Sequence, residues 1–274
     1  MSSEDELRKL HESNRQGWNE GAQAYEDDLE ERIEFLQAGG QNFCPPELAY
    51  LADLDKWCSL AIHLQCAGGT DTLSLWNRGA KEVIGIDISD RMIAVAQAKS
   101  DAIGANATWI RSDIFDAPSE FDSTADLVYS GRGAVCWIMD LDRWASVIHR
   151  LLKPGGKFYL FEGHPVSDLW TMEDSTYQLD PDYGDYFQEK TIESVGWPTT
   201  YIGDLGKPEE EHAMKYERVW RTDQIVNAVI GAGLRLLKIE EHPDLFWDRF
   251  PKMDADLVRR TPQTLSLLAE RPAN

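Results

Sequence analysis

The chain has 274 residues, enough for one large core or a core with a small cover, and a hydrophobic fraction of 42% suits a globular protein. A net charge of −21 argues against a nucleic-acid partner, because phosphate binding needs clustered Lys and Arg. No apolar run approaches the roughly 18 residues that span a bilayer, the N-terminal residues lack the apolar core of a secretory signal, and the cysteines (Cys44, Cys58, Cys66, Cys136) form no C-x-x-C pair. A reduced, cytoplasmic protein with no membrane contact is the expectation.

The acid is unevenly spread. Residues 1–60 carry 14 acidic and 5 basic residues, and residues 165–217 carry 13 against 3. A solvated acidic surface is one reading, and selection for a neutral or cationic substrate is the other.

Residues 4–34 have helical composition, with Leu7, Leu10, Trp18, Tyr25 and Leu29 irregularly spaced, which predicts a break near Gly17 or Gly21. Pro45-Pro46 starts a short helix over 47–54. Residues 60–90 are more informative. The apolar run Leu60–Leu64 reads as a buried strand ending at Gly68-Gly69, Thr70 or Asp71 then caps a helix to about Arg78, and Val83–Ile88 forms a second strand containing Asp87. In this βαβ unit the glycines admit a ligand close to the backbone, and Asp87, 18 residues after Gly69, is placed to accept both hydroxyls of a ribose.

Dinucleotide binders use G-x-G-x-x-G here, so that a pyrophosphate rests on the helix end. This chain has Ala67-Gly68-Gly69-Thr70-Asp71, and Asp71 would repel a pyrophosphate. A cationic, phosphate-free cofactor such as S-adenosylmethionine fits better. On these residues the stretch 60–163 resembles a class I S-adenosylmethionine-dependent methyltransferase of the ubiquinone/menaquinone C-methyltransferase-like, small-molecule kind. Relative to that family's acid-plus-G-x-G-x-G motif, Gln65 stands for the acid, Ala67 for the first glycine and Asp71 for the third, while Gly69 is kept. The resemblance implies cofactor contacts at Gln65, Ala67 and Gly69, with a Cβ on Gly69 projecting toward the methionine part of the ligand.

Ser89 caps a helix from Asp90 to about Ala102, with Met92, Ile93 and Ala96 inward, and Gly104 ends it. Ala107–Arg111 is a third strand, followed by Ser112-Asp113-Ile114 at the family's adenine position; the alternative for Asp113 is an Asx-turn. By the resemblance, Ile88, Met92, Ser112, Asp113 and Ile114 surround the adenosine. Ala125–Ser130 is a fourth strand whose end, Ser130 with Gly131-Arg132-Gly133, lies beside the methyl donor. A helix from Asp140 to Leu152, the turn Leu151-Leu-Lys-Pro-Gly-Gly156, itself a mark of the family, and a strand Lys157–Glu162 follow.

Residues 165–217 hold eight aromatics (Trp170, Tyr177, Tyr183, Tyr186, Phe187, Trp197, Tyr201, Tyr216) and no long helical pattern, and read as a lid or small β-rich cap. Thr222 caps a helix to Ala232, and Leu234–Glu240 and Thr264–Ala269 are the last strands. His164, just after the fifth strand, is the candidate general base, and Glu162 a lesser one. The histidines show no metal-ligand spacing, so no metal is expected.

The expectation is an α/β fold: a doubly wound, Rossmann-like, seven-stranded sheet, for which the resemblance implies the order 3-2-1-4-5-7-6. It divides into an N-terminal helical cover (1–55), a cofactor-binding core (56–164), an inserted substrate cap (165–217) and the rest of the core (218–274). The expected activity is methyl transfer to a small aromatic or amine-bearing acceptor, with Tyr25 over the cofactor and Trp18, Trp170 and Tyr186 toward the acceptor. A non-catalytic or repurposed protein of the same fold, or an NAD-dependent oxidoreductase, are the alternatives. A homodimer is compatible with the sequence.

Overall fold

The apolar runs pair into one seven-stranded sheet in the computed structural model, which describes residues 3–273. In chain order, β1 (Leu60–Leu64), β2 (Glu82–Asp87), β3 (Ala107–Arg111), β4 (Ala125–Gly131) and β5 (Leu152–Gly163) are mutually parallel where they pair. A small hairpin, β6 (Ile192–Ser194) and β7 (Lys215–Glu217), lies outside the sheet. The strands β8 (Arg235–His242) and β9 (Thr264–Glu270) close the order β3-β2-β1-β4-β5-β9-β8, with β9 antiparallel to both neighbours. This is the expected strand order. β1 pairs with both β2 and β4, so the chain reverses direction across the sheet there and opens a crevice at the carboxyl ends of these strands.

Eight buried or nearly buried strand residues, including Ala61, Ile62, Leu64, Val83, Ile84, Ile86, Leu127 and Val128, explain why these runs need cover on both faces. One face is packed by α7 (Leu141–Leu151) and α8 (Thr222–Gly231), with the fully buried Trp144 edge-on to Phe158 at 5.5 Å. On the other, α3 (Pro45–Tyr50), α4 (Leu54–Trp57) and α5 (Thr70–Asn77) meet Tyr129, Tyr159 and Phe161. α6 (Asp90–Ile103) begins at Ser89, whose hydroxyl accepts from the Met92 amide at 3.1 Å, and stops at Gly104 in the left-handed region, as expected. A last short helix, α9 (Ala255–Val258), lies between β8 and β9.

Several boundaries differ from expectation. The N-terminal segment breaks at Asp28, between α1 (Ser3–Asp27) and α2 (Leu29–Gln37), and not at Gly17 or Gly21. Those glycines serve close packing: a Cβ on Gly17 would lie 2.6 Å from Lys215 Cγ, and one on Gly21 3.2 Å from the Trp197 ring. The helix expected over 47–54 is two short helices, because Asp53 turns left-handed between them. The caps of α5 and α8 are Gly69 and Arg221, one residue before Thr70 and Thr222.

The covering helices are tied to the sheet by a buried charge. Glu47 on α3 is 0% exposed, accepts from the Tyr129 hydroxyl at 2.6 Å, and pairs with Arg132, which also donates to the Asn42 carbonyl. Removing Glu47 leaves the buried Arg132 with only the more distant Asp71, at 3.7 Å, as a charged partner. Glu47→Ala should therefore cost about 3–5 kcal/mol in denaturant unfolding, and Glu47→Leu with Arg132→Met together should cost less than the sum of the two singles. Additive losses would show that the pair is not coupled.

Candidate active site

Two cavities open at the carboxyl edge of the sheet. The first, about 330 Å³, runs over the β1–α5 turn between Asp87 and the inner side of α1. The second, about 630 Å³, lies under the 165–217 segment. They share a wall of Trp18, Arg132, Gly133, Trp137, Tyr201, Phe246 and Trp247.

The β1–α5 turn explains how the altered glycine motif still works. Ala67 sits at φ +45° and Gly69 at φ +75°, so both motif positions that call for left-handed backbone have it. Ala67 bears strain of about 1 kcal/mol that glycine would avoid. Asp71, at the third position, is inside α5, where no glycine is needed. Its carboxylate accepts from Asn42 Nδ2 at 2.7 Å and lies 3.7 Å from Arg132, so its charge is balanced. Beneath the turn, fully buried Lys99 donates to the Gly68 carbonyl and the Thr70 hydroxyl, both at 2.9 Å, and burial lowers its ammonium to about 8.

Asp87 closes one end of this cavity. Its two oxygens accept from the amides of Ala67 and Ser89, both at 2.8 Å, while burial pushes its carboxyl up to about 6. Ile88, Ser112, Asp113 and Ile114 line the same end. Asp113 accepts from the Phe115 amide at 3.0 Å, the Asx-type turn that is the alternative to an adenine contact, and also faces His11 Nδ1 at 2.7 Å. Tyr25 lines the cavity opposite Gly68, its hydroxyl 3.4 Å from that of Tyr201. Gln65 donates to the Ala134 carbonyl at 2.6 Å, and its Oε1 is buried with no partner among the described residues.

Two expected members of this group lie elsewhere. Met92 is fully buried under α6 and does not reach the cavity. Ser130 is likewise buried inside β4; the residues after it, Gly131 to Ala134, form the wall. Gly69 corrects a third expectation. A Cβ there would meet Trp109 at 2.5 Å and Ala96 at 2.6 Å, so the position is glycine for packing under the turn, not for room on the ligand side.

The second cavity is walled by Trp18, Trp137, Trp170, Trp197, Trp220 and Trp247, six of the chain's ten tryptophans. Trp18 meets Trp137 and Trp197 at ring separations of 5.4 and 4.6 Å. Its charges balance, five carboxylates against five Lys or Arg, so the acidity of the 165–217 segment is not concentrated here. Tyr186 lies outside this cavity, edge-on to Phe187 with its hydroxyl near the Thr222 amide. His164 also lines neither cavity: Nε2 is 3.0 Å from Glu241 and Nδ1 accepts from the Val166 amide at 3.1 Å. Both ring nitrogens are engaged in holding a turn, so the expected base is not available. Glu162 lines the second cavity, but its carboxylate accepts from the amides of Gly133, Ala134, Val135 and Gly163. That makes it a backbone clamp. Among the residues not anticipated, Arg132 lies within, and Trp137 just after, the Gly131-Arg-Gly133 turn that the sequence did mark; Lys99, His11 and Trp247 had no local signal. No metal-binding cluster of His, Cys, Asp or Glu occurs among the described residues, nor does a helix long and apolar enough to cross a membrane.

The first cavity fits S-adenosylmethionine: its acceptors, Asp87 and the orphaned Gln65 oxygen, face a ligand whose ribose hydroxyls and ammonium are donors. Comparison with known proteins agrees. Residues 61–156 match the family described as a methyltransferase domain. The rat mitochondrial 2-methoxy-6-polyprenyl-1,4-benzoquinol methylase is 33% identical over 92 residues, 33% of this chain, and the match spans 28% of that protein's length. Two solved structures share the fold. A Listeria monocytogenes protein described as an S-adenosylmethionine-dependent methyltransferase is 22% identical with a TM-score of 0.60, over 82% of this chain and 96% of that one. Geranyl diphosphate C-methyltransferase from Streptomyces coelicolor A3(2) is 16% identical with a TM-score of 0.55, over 82% and 77%.

Because Gly69 packs on Trp109 and Ala96, Gly69→Ala should lower unfolding stability by about 2–4 kcal/mol, from overpacking and left-handed strain. Loss of ligand binding with unchanged stability would restore the ligand-side reading. Residues 61–156 thus match a methyltransferase domain, within a sheet order and fold shared with solved S-adenosylmethionine-dependent methyltransferases.

Proposed function

We propose that the protein transfers a methyl group from S-adenosylmethionine to a small, flat acceptor held in the tryptophan-walled chamber. The observation that carries this is the shared wall: a cofactor-sized cavity and a larger aromatic one meet at Trp18, Arg132, Trp137, Tyr201 and Trp247. When bound, S-adenosylmethionine supplies a sulfonium methyl that is open to in-line displacement. Asp87 would accept from the ribose hydroxyls, Gln65 from the ammonium, and Asp113 with Ile114 would border the adenine. Trp18 and Trp170 would hold the acceptor face, and the 165–217 cap with α1 would keep water out. The balanced charge of the chamber favours the aromatic over the amine-bearing acceptor. The rat relative is named for a benzoquinol, which is consistent with a flat ring. We also propose that the protein works without nucleic acid, and in the cytoplasm, given four unbridged cysteines.

S-adenosylhomocysteine should bind by calorimetry and NAD should not; the reverse would return the protein to the oxidoreductases. Charge-assisted hydrogen bonds contribute about 1.5–3 kcal/mol each, so Asp87→Ala should weaken S-adenosylhomocysteine by about 10- to 100-fold. The ligand needs Asp87 ionised, and burial raises its carboxyl to about 6. Affinity should therefore rise with pH through that range in the wild type and be flat in Asp87→Ala. A wild-type affinity that does not change between pH 5 and about 7 would remove Asp87 from the site.

A further inference from the structure

An acceptor with a labile proton would need a group to take it, and the sequence candidate, His164, lines neither cavity. What the His164 turn does is carry Asp168. The Ser167 amide donates to the His164 carbonyl at 2.7 Å, the His164 amide donates to the Gln263 carbonyl at 2.9 Å, and the turn Ser167–Leu169 that follows carries Asp168 into the chamber wall. Asp168 is set deep enough that burial pushes its carboxyl above the usual range, yet 25% of its side chain is open. Asp168 is among the residues that line the chamber.

The other carboxylates of the chamber accept hydrogen bonds from neutral donors, whereas Asp168 is paired with a guanidinium that favours its ionised form. Glu162 takes four amides, Glu217 accepts from the Ser194 hydroxyl at 2.8 Å, Asp180 accepts from the amides of Asp182 and Tyr183, and Asp204 from that of Gly206. Asp168 has Oδ1 3.0 Å from Arg249 Nη1. That guanidinium lies over Trp247, 5.7 Å from the ring centroid, and Trp247 belongs to the wall shared with the cofactor cavity. Arg249 and Trp247 thus link Asp168 to the wall that the two cavities share. His164 behind it and Arg249 beside it favour its ionised form, while Glu217 is the nearby acid whose own carboxyl is raised in part by Asp168.

We propose that Asp168 is the proton-accepting residue of the acceptor site, and that the acceptor carries a phenolic O–H on its flat body. This rests on the methyltransferase reading above. The hydroxyl proton passes to Asp168, the phenol oxygen's electron pair forms the new bond to the methyl carbon, and the methyl–sulfur bond breaks with its pair left on sulfur. Asp168 then releases the proton to solvent, so the net products are an aryl methyl ether, S-adenosylhomocysteine and one proton.

7-Hydroxycoumarin is a suitable probe, because its phenol and phenolate absorb at different wavelengths. Bound to the wild-type complex with S-adenosylhomocysteine, it should stay neutral to a higher pH than in Asp168→Asn, since a carboxylate beside the hydroxyl disfavours the phenolate. With S-adenosylmethionine, turnover in Asp168→Asn should fall by about 100-fold at pH values where the free probe is neutral and recover as it ionises, whereas Asp168→Glu should keep much of the wild-type profile. An identical ionisation of the bound probe in wild type and Asp168→Asn overturns the assignment. So does failure of the wild-type complex to bind either 7-hydroxycoumarin or 2-naphthol. Affinity for S-adenosylhomocysteine, measured on each variant, separates these outcomes: its loss in the wild type sinks the cofactor reading, while its retention in Asp168→Asn shows that the variant folds.

Discussion

One buried carboxylate holds the wall between the two cavities. Glu162, at the end of β5, accepts four backbone amides, three of them from the turn that follows β4. The same turn is drawn against β5 from the other side: the Arg132 amide donates to the Phe161 carbonyl at 2.7 Å, and a Cβ on Gly131 would lie 1.9 Å from that oxygen. No side chain larger than hydrogen can stand at residue 131. The turn therefore cannot swing, and Arg132, Gly133 and Trp137 stay where both cavities use them. Burial raises the Glu162 carboxyl to about 6 while the amides pull the other way. The charge is tolerated because it is fully hydrogen-bonded, not because it is a catalyst.

The cover over this wall is assembled from two distant stretches. α1 brings His11, Trp18 and Tyr25 to the cofactor side, and its glycines make room for Lys215 and Trp197 of the cap. Glu20 on α1 then accepts from Lys207 at 2.8 Å and from the Ala213 amide at 3.0 Å, and Tyr25 approaches Tyr201. The helix α1 and the 165–217 segment are packed as one piece. Order in either therefore supports order in the other, and the two ligands would be enclosed by a common cover.

Charge tells a similar story of placement. The net −21 is large, but it is carried by the surface: the chamber is balanced, and Asp71 beside the cofactor turn is met by Arg132 and Asn42. A cationic substrate is not required to explain the composition. Solvated acidic residues suffice, which was the plainer of the two sequence readings.

Sequence alone determined the strands, their order through the family resemblance, the Asp87 end of the cofactor cavity and the turn after β4. These are legible because burial of a strand or the stop of a helix depends on a few neighbouring residues: Leu60–Leu64 is apolar throughout, Ser89 caps, Gly104 ends. Tertiary structure alone decided which side chains face the chemistry. Met92, Ser130 and His164 stand in the right segments, yet burial within α6 and β4 and the bonds to Glu241 and Val166 keep them out of both cavities. Arg132, Trp247 and Asp168 line the second cavity from the turn after β4, the β8–β9 connection and the 165–217 segment, stretches that the order of the sheet brings together. A local pattern can say that a residue follows a strand. It cannot say which way the next turn will point its side chain, since that depends on contacts made far away in the chain.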